Sequence, residues 1–243
     1  MDRRQFLQAS AGSFVLSSCL PKIVSAFADE PKSAALIQTL PKDGTWSEFQ
    51  VIAKVGGREI ALTWAARSVG QAVHGGKQCR FIEMDRSDPQ GEVKNGVWRL
   101  LVPEEEFGEG KDPLSKSVKR WLKSGTDDAE AAESFALKDP FLAFVLSGPK
   151  QNLKTEEAKE KINWQQGDLE CSVISGRNDV DVGVAKISGV YRVFRHKDVP
   201  FGFAGIQQEL TLIQGGQVET VNVKMTLRDH GKDAKAKLPD LLP

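Results

Sequence analysis

The sequence predicts an α+β fold: a curved antiparallel sheet of about eight strands, an open half-barrel, with two or three helices inserted between its strand halves. Residues 203–228 form two alternating apolar–polar runs around Gly215-Gly216. A Gly-Gly pair suits a two-residue hairpin loop because glycine adopts positive φ without strain. Similar runs surround Gly56-Gly57 and Gly75-Gly76, whereas residues 112–148 change to a helical period.

The first half of the sheet is predicted to begin near Trp46. Closing a hairpin at Gly56-Gly57 places Phe49 opposite Trp64 and Val51 opposite Leu62. These apolar pairs share one face and polar residues occupy the other, as a half-buried antiparallel sheet requires.

The last hairpin shows the same one-sided pattern. Turning at Gly215-Gly216 places Ile206 opposite Met225 and Leu210 opposite Val221. A slip of one residue would move every apolar side chain to the polar face, so the pattern and the turn specify one register.

The middle of the chain is predicted to supply the helices. Asp112 is a candidate N-cap with Pro113 at the first helical position, and Gly125 suits the C-terminal end. A second helix is expected over residues 127–137, and Asp139-Pro140 introduces a short third one with the sequence FLAFVL. The apolar residues predicted to form a helical lid are Leu114, Val118, Trp121, Leu122, Phe141 and Phe144.

The first 28 residues have the pattern of an export signal peptide. Arg3 and Arg4 precede a short apolar segment, and Ala26-Phe27-Ala28 matches an A-x-A cleavage site. The run RRQFLQ resembles the twin-arginine family of signals, which implies the twin-arginine export machinery as a partner and a periplasmic or cell-envelope location. LSSC, ending at Cys19, also resembles a lipobox, so lipid anchoring at that cysteine is the alternative to cleavage after Ala28.

The rest of the chain divides into a lead-in segment (29–43), one sheet domain (44–228) with its helical insertion (112–148), and a polar, flexible tail (229–243). The 33 basic residues balance the 33 acidic ones, which gives no support for a nucleic-acid partner. Pro21-Lys22 interrupts the apolar part of the signal, so no transmembrane helix is expected to remain.

No catalytic, cofactor or metal motif is present. His74, His196 and His230 lie far apart, and no histidine–cysteine–carboxylate cluster has the spacing of a metal site. The oxygen-rich run Asn178–Asp181 lacks the rest of a calcium loop and is interpreted as a solvated turn.

Cys79 and Cys171 are the cysteines that remain after cleavage at Ala28. An even number of cysteines in an oxidising compartment makes them a candidate disulfide that would tie together the two halves of the sheet. The alternative is two separate buried thiols that behave as small apolar side chains.

The order of strands, helices and strands over residues 44–228 resembles the exported LolA/LolB and LppX-type half-barrel proteins. No residue motif carries this resemblance, so it transfers no site residues. It implies an exported, non-catalytic protein that binds an apolar ligand, such as the acyl chain of a lipid or lipoprotein, or an envelope partner. The alternatives are a structural or interaction domain with a filled core, and an enzyme whose catalytic residues are dispersed.

Overall fold

A computed structural model describes residues 34–88, 96–125, 128–133, 140–181 and 185–239, and in these ranges almost every regular element is a strand. The strands are β1 Trp46–Val55, β2 Arg58–His74, β3 Lys77–Ser87, β4 Gly96–Pro103, β5 Lys119–Ser124, β6 Glu130–Ala131, β7 Gln151–Thr155, β8 Glu160–Trp164, β9 Gly167–Asp181, β10 Ala185–Arg195, β11 Phe203–Gln214 and β12 Gln217–Gly231. One α-helix, α1 (Pro140–Ser147), and short 3-10 turns at Glu104–Glu106, Pro113–Lys116 and Pro200–Gly202 complete the described elements.

The strands form one open antiparallel sheet in the order β6-β5-β4-β3-β2-β1-β12-β11-β10-β9-β7, with β8 paired to β9. The two halves of the chain each form a meander. They join where the first strand, β1, pairs with the last strand, β12.

The registers predicted for the hairpins at Gly56-Gly57 and Gly215-Gly216 are confirmed. Both glycines of each loop have positive φ; for Gly215 and Gly216 the angles are 56° and 79°. The confirmed pairs are Phe49–Trp64, Val51–Leu62, Ile206–Met225 and Leu210–Val221.

The apolar pairs define the inner face of the sheet, and the residues that alternate with them define the outer face. Phe49 stacks on Phe203 with ring centroids 4.6 Å apart and packs against Trp64 at 5.5 Å. All three side chains are buried. Most of the buried apolar side chains lie on this face, which therefore holds the main core. Each large apolar side chain stabilises the fold by roughly 1.5–3 kcal/mol when it is fully buried.

The prediction of an α+β fold with about eight strands is wrong, because the described chain is nearly all antiparallel sheet with twelve strands and one helix. The predicted helix from Asp112 to Gly125 is a 3-10 turn followed by strand β5, which pairs with the edge of β4. Part of the predicted second helix, Glu130–Ala131, is strand β6. The third predicted helix forms, as α1, and it is the α-helix that the described residues contain. Pairing with an open sheet edge satisfies a row of backbone groups, and this outweighs a weak helical propensity.

The segment that precedes β1 lies against α1. The Ala34 and Leu36 amides donate to the carbonyls of Pro149 (2.9 Å) and Leu146 (3.0 Å). The buried guanidinium of Arg195 donates to Leu36 O at 2.6 Å and to Ala34 O at 3.1 Å. These bonds fix the lead-in segment and α1 over the inner face.

The end of the chain differs from the flexible tail that its polar composition predicted. Asp229, His230 and Gly231 belong to β12, and residues 237–239 are hydrogen-bonded to the outer face of β3 and β4. Leu238 is buried.

Arg3, Arg4, Cys19 and the cleavage site at Ala28 lie outside the described residues. Among the helices in the described ranges, none is long and apolar enough to cross a membrane.

Candidate functional site

The candidate site lies on the inner face, where α1 covers strands β10 and β11. The ring of Phe144 packs against Tyr191 with centroids 6.0 Å apart. Gly189 makes this approach possible, because a Cβ atom there would lie 2.7 Å from the Tyr191 ring and 2.9 Å from Leu210. The helix therefore sits directly on the sheet at this position.

Four polar side chains interrupt this apolar surface. Ser147 Oγ donates to Phe144 O at 2.8 Å, and the Tyr191 hydroxyl donates to the same carbonyl at 3.2 Å. The Asn178 amide donates to Ser147 Oγ at 3.0 Å. Burial raises the pKa of Tyr191 well above its ordinary value, against the opposing contacts of Asn178 and Gln208, so the phenol stays neutral.

Gln208 is the fourth of these side chains; against the larger effect of burial, its amide interacts with the Tyr191 hydroxyl and lowers the pKa of that phenol, but it makes no hydrogen bond of full geometry. It lies opposite Tyr191 in the β10–β11 register, and only 4% of its surface is exposed. The amide lies against the Tyr191 hydroxyl, but neither Nε2 nor Oε1 of Gln208 has a partner of hydrogen-bonding geometry. An unpaired buried amide costs roughly 1–3 kcal/mol, so this donor and acceptor are available to another molecule.

Apolar side chains that are only partly buried pack against the core on the side of the Gly56-Gly57 and Gly215-Gly216 hairpins, and we call them the apolar rim. Its members are Ala53, Leu62, Ile187, Leu212 and Val221. Leu212 and Gln208 point to the same face of β11 and lie about 13 Å apart along the strand, the length of a short acyl chain.

A shallow depression of about 460 Å³ lies on the outer face of β1, β2, β10, β11 and β12. Its lining is mostly charged or polar and includes Lys54, Glu59, Arg192, Glu209 and Lys224. Hydrogen bonds that Arg192 donates to Glu156 and Glu160 raise its pKa, so the guanidinium stays charged. This depression is shallow and open to solvent, whereas a small-molecule pocket buries most of its ligand.

The structure separates the six predicted lid residues. Leu114, Leu122 and Phe144 belong to or pack against the inner core, whereas Val118 is 41% exposed. Trp121 lies on the outer face, 6.2 Å from Phe81. Phe141 lies in α1, but its side chain is outside the described set. Because β5 is a strand, neighbouring residues such as Trp121 and Leu122 point to opposite faces and cannot form one helical stripe.

The two cysteines also lie in different places. Cys79 is buried in a small outer-face cluster, whereas Cys171 belongs to the main core, and both are free thiols. Burial raises the pKa of Cys171 to about 11, so its thiol stays protonated near neutral pH. This arrangement favours the alternative of two separate buried thiols.

The structure does not bring the histidines together as a site. His230 stacks on Trp164 at 4.9 Å, and burial lowers its pKa. Across the described ranges there is no group of three or more histidine, cysteine, aspartate or glutamate side chains placed to hold a metal ion.

Sequence reasoning missed Gln208, Tyr191 and Asn178. Gln208 lies on the same face of β11 as Ile206 and Leu210. A polar residue at an apolar position of the hairpin was therefore a signal that the sequence already contained. Asn178 lies inside β9 rather than in a solvated turn, and its side chain is buried.

No protein-family model and no curated protein matches this chain. Among solved structures it is similar to a Bacteroides fragilis protein described as exported and as having a YmcC-like fold, with 11% identity over 82% of this chain and 100% of the other, at a TM-score of 0.38. It is also similar to a Vibrio parahaemolyticus domain described as an outer membrane lipoprotein-sorting protein, with 8% identity, coverage of 91% and 93%, and a TM-score of 0.34. A LolA superfamily protein from Nitrosomonas europaea shows 10% identity, coverage of 86% and 94%, and a TM-score of 0.27. Two of the three carry descriptions from the group that the element order resembles; all are distant, so we infer function from the residues of this chain.

Proposed function

We propose that this chain is an exported, non-catalytic protein of the cell envelope that binds an acyl chain on the inner face of its sheet. The observation that carries the proposal is the Gln208 amide, which is buried on an apolar face and has no partner that meets full hydrogen-bond geometry. A ligand that pairs with this amide recovers a free energy that the unliganded fold loses.

The surroundings of Gln208 define the ligand. The apolar rim and the core residues behind it suit a hydrocarbon chain that enters at the hairpin end. The polar part of the ligand meets Gln208 beside Tyr191, whose phenol is neutral because burial raises its pKa. An ester or amide fits this environment better than a carboxylate does, since a charged group without a paired cation is costly to bury.

The proposed location at the cell envelope depends on the signal-like first 28 residues, where Arg3-Arg4 resembles a twin-arginine signal. Export would place the chain beside membranes and lipoproteins, which are the sources of acyl chains in that compartment.

The test compares two neighbouring glutamines of β11. Gln208→Leu removes the inner-face amide, whereas Gln207→Leu changes an exposed side chain of the outer face by the same chemistry. We expect Gln208→Leu to weaken binding of a fluorescent monoacylglycerol by about tenfold, the equivalent of roughly 1.4 kcal/mol, and Gln207→Leu to leave the affinity unchanged. Equal affinities for the two variants, or no binding by the wild-type protein, would refute the proposal.

A structural domain with a filled core is the second candidate. The close contact of Phe144 and Tyr191 over Gly189 favours it, because α1 already occupies the sheet there. Native mass spectrometry of the exported protein distinguishes the two: a co-purifying lipid mass supports the binding function, and a bare chain that also fails to take up the probe supports the filled core.

A further inference from the structure

A second polar cluster lies on the outer face, at the centre of the first meander. Glu83 on β3 and Arg99 on β4 are directly opposite each other in the strand register. Arg99 donates to Glu83 Oε1 from Nε at 2.8 Å and from Nη2 at 2.6 Å, and both side chains are almost completely buried. Ionic groups this deeply buried need further hydrogen bonds to offset the loss of water.

The end of the chain supplies those bonds through its backbone. The amides of Lys237 and Leu238 donate to the Glu83 carboxylate at 2.7 and 3.0 Å. Arg99 donates to the carbonyls of Leu238 and Pro239, both at 2.6 Å. Glu83 and Arg99 thus contact two successive backbone donors and two successive backbone acceptors of one short, bent segment.

The side chains of the same segment add two further contacts. Leu238 is buried in an apolar pocket with Cys79, Leu101 and Trp121. The Lys237 ammonium lies 2.5 Å from a carboxylate oxygen of Asp85. An apolar anchor in a pocket next to a charged contact is the usual arrangement of a peptide-recognition site.

The chain between β12 and this segment is held far more lightly. Lys232, Asp233, Lys235 and Ala236 are exposed. The described backbone contacts in this connection are Trp46 Nε1 to Lys232 O (3.1 Å) and Ala234 N to Gly44 O (2.7 Å). The binding contacts are therefore concentrated in three residues at the end of an exposed connection.

We propose that the outer-face groove formed by Glu83, Arg99 and the Leu238 pocket is a peptide-binding site, which the chain's own segment Lys237–Pro239 occupies intramolecularly. Its partner is a peptide that presents the same groups: a basic residue, then an aliphatic residue, then a residue whose backbone carbonyl accepts from Arg99. The recognising groups lie on interior strands of the sheet, so the groove remains formed when one peptide replaces another. The proposal does not depend on lipid binding, because the groove lies on the opposite face from Gln208.

The test uses full-length proteins and a fluorescein-labelled peptide that matches residues 234–240. Leu238→Asp in the protein removes the intramolecular competitor, because a carboxylate does not enter the apolar pocket. We expect the labelled peptide to bind this variant at least tenfold more tightly than the wild-type protein, in which the tethered segment competes at an effective concentration on the order of millimolar. A peptide that carries the same Leu238→Asp change should not bind.

Thiol labelling gives a second measurement on the same samples. Cys79 lines the pocket under Leu238, so it should react with a maleimide faster in the Leu238→Asp protein and become protected when the peptide is added. Cys171, on the other core, serves as the internal control. No peptide binding to a folded variant, or equal binding of the two peptides, overturns the proposal. If Leu238→Asp does not fold, Leu238→Ala replaces it, and the same outcomes decide.

Discussion

Gln208→Leu should make the unliganded protein more stable, although it removes a polar group from the candidate site. The amide of Gln208 is buried and has no partner that meets full hydrogen-bond geometry, and such a group costs roughly 1–3 kcal/mol. Leucine has a similar volume and suits the neighbours Ile206 and Leu210, while the change in shape costs less than about 1.5 kcal/mol. We expect a net gain of about 1–2 kcal/mol in the free energy of unfolding.

Urea denaturation measures this change. With a denaturant slope of about 2–3 kcal/mol/M, the gain raises the midpoint by about 0.5 M at an unchanged slope, and it raises Tm by about 2–4 °C for each kcal/mol. Gln207→Leu is the matched control, because its exposed side chain should change stability by no more than about 0.5 kcal/mol. If Gln208→Leu is less stable than Gln207→Leu by 1 kcal/mol or more, which is about the net contribution of one hydrogen bond, the amide is paired in the native protein and the reasoning is wrong.

Three further predictions concern other parts of the chain. Arg3→Lys with Arg4→Lys should leave the protein in the cytoplasm with residues 1–28 attached, because lysine lacks the planar donor fork of arginine; normal processing on an immunoblot would point to a different export route. Gly189→Ala should destabilise the fold by about 1–3 kcal/mol in thermal melts, because its methyl group would lie 2.7 Å from a buried tyrosine ring; an unchanged Tm would mean that α1 moves aside easily. Exported protein denatured without a reductant should show free thiols at both Cys79 and Cys171 in a titration with mass mapping, and loss of both would indicate the disulfide.

The hairpin registers were predictable because the information that specifies them is local. A Gly-Gly pair supplies the two positive φ angles of the loop, and the alternation of apolar and polar residues on either side determines which residues pair. The same phase places Gln208 on the dry face between Ile206 and Leu210. Its position could be predicted from the sequence, but its lack of a partner could not, because Tyr191 and Asn178 come from other strands.

The wrong prediction of a helix over residues 113–124 also arises from a contact between segments far apart in the chain. Leu114, Val118, Trp121 and Leu122 fit a helical stripe, but Trp121 and Leu122 equally suit opposite faces of a strand. Over a segment this short, the free edge of β4 decides between the two, since pairing Leu100 with Arg120 satisfies backbone groups that would otherwise be exposed. A sequence pattern contains no information about which sheet edge is free.

The segment after β12 shows most clearly what could not be predicted from the sequence. Its lysines and aspartates predicted a solvated, flexible segment, and Lys232, Asp233, Lys235 and Ala236 are exposed. Leu238, however, is buried because Cys79, Leu101 and Trp121, from three separate strands, form a pocket for it beside Glu83 and Arg99. The sequence by itself determined the turns, the alternation and the dry face, because each depends on residues close together in the chain. Only the tertiary structure decided the edge pairing, the unpaired amide and the docked tail, because each depends on contacts between residues far apart in the chain.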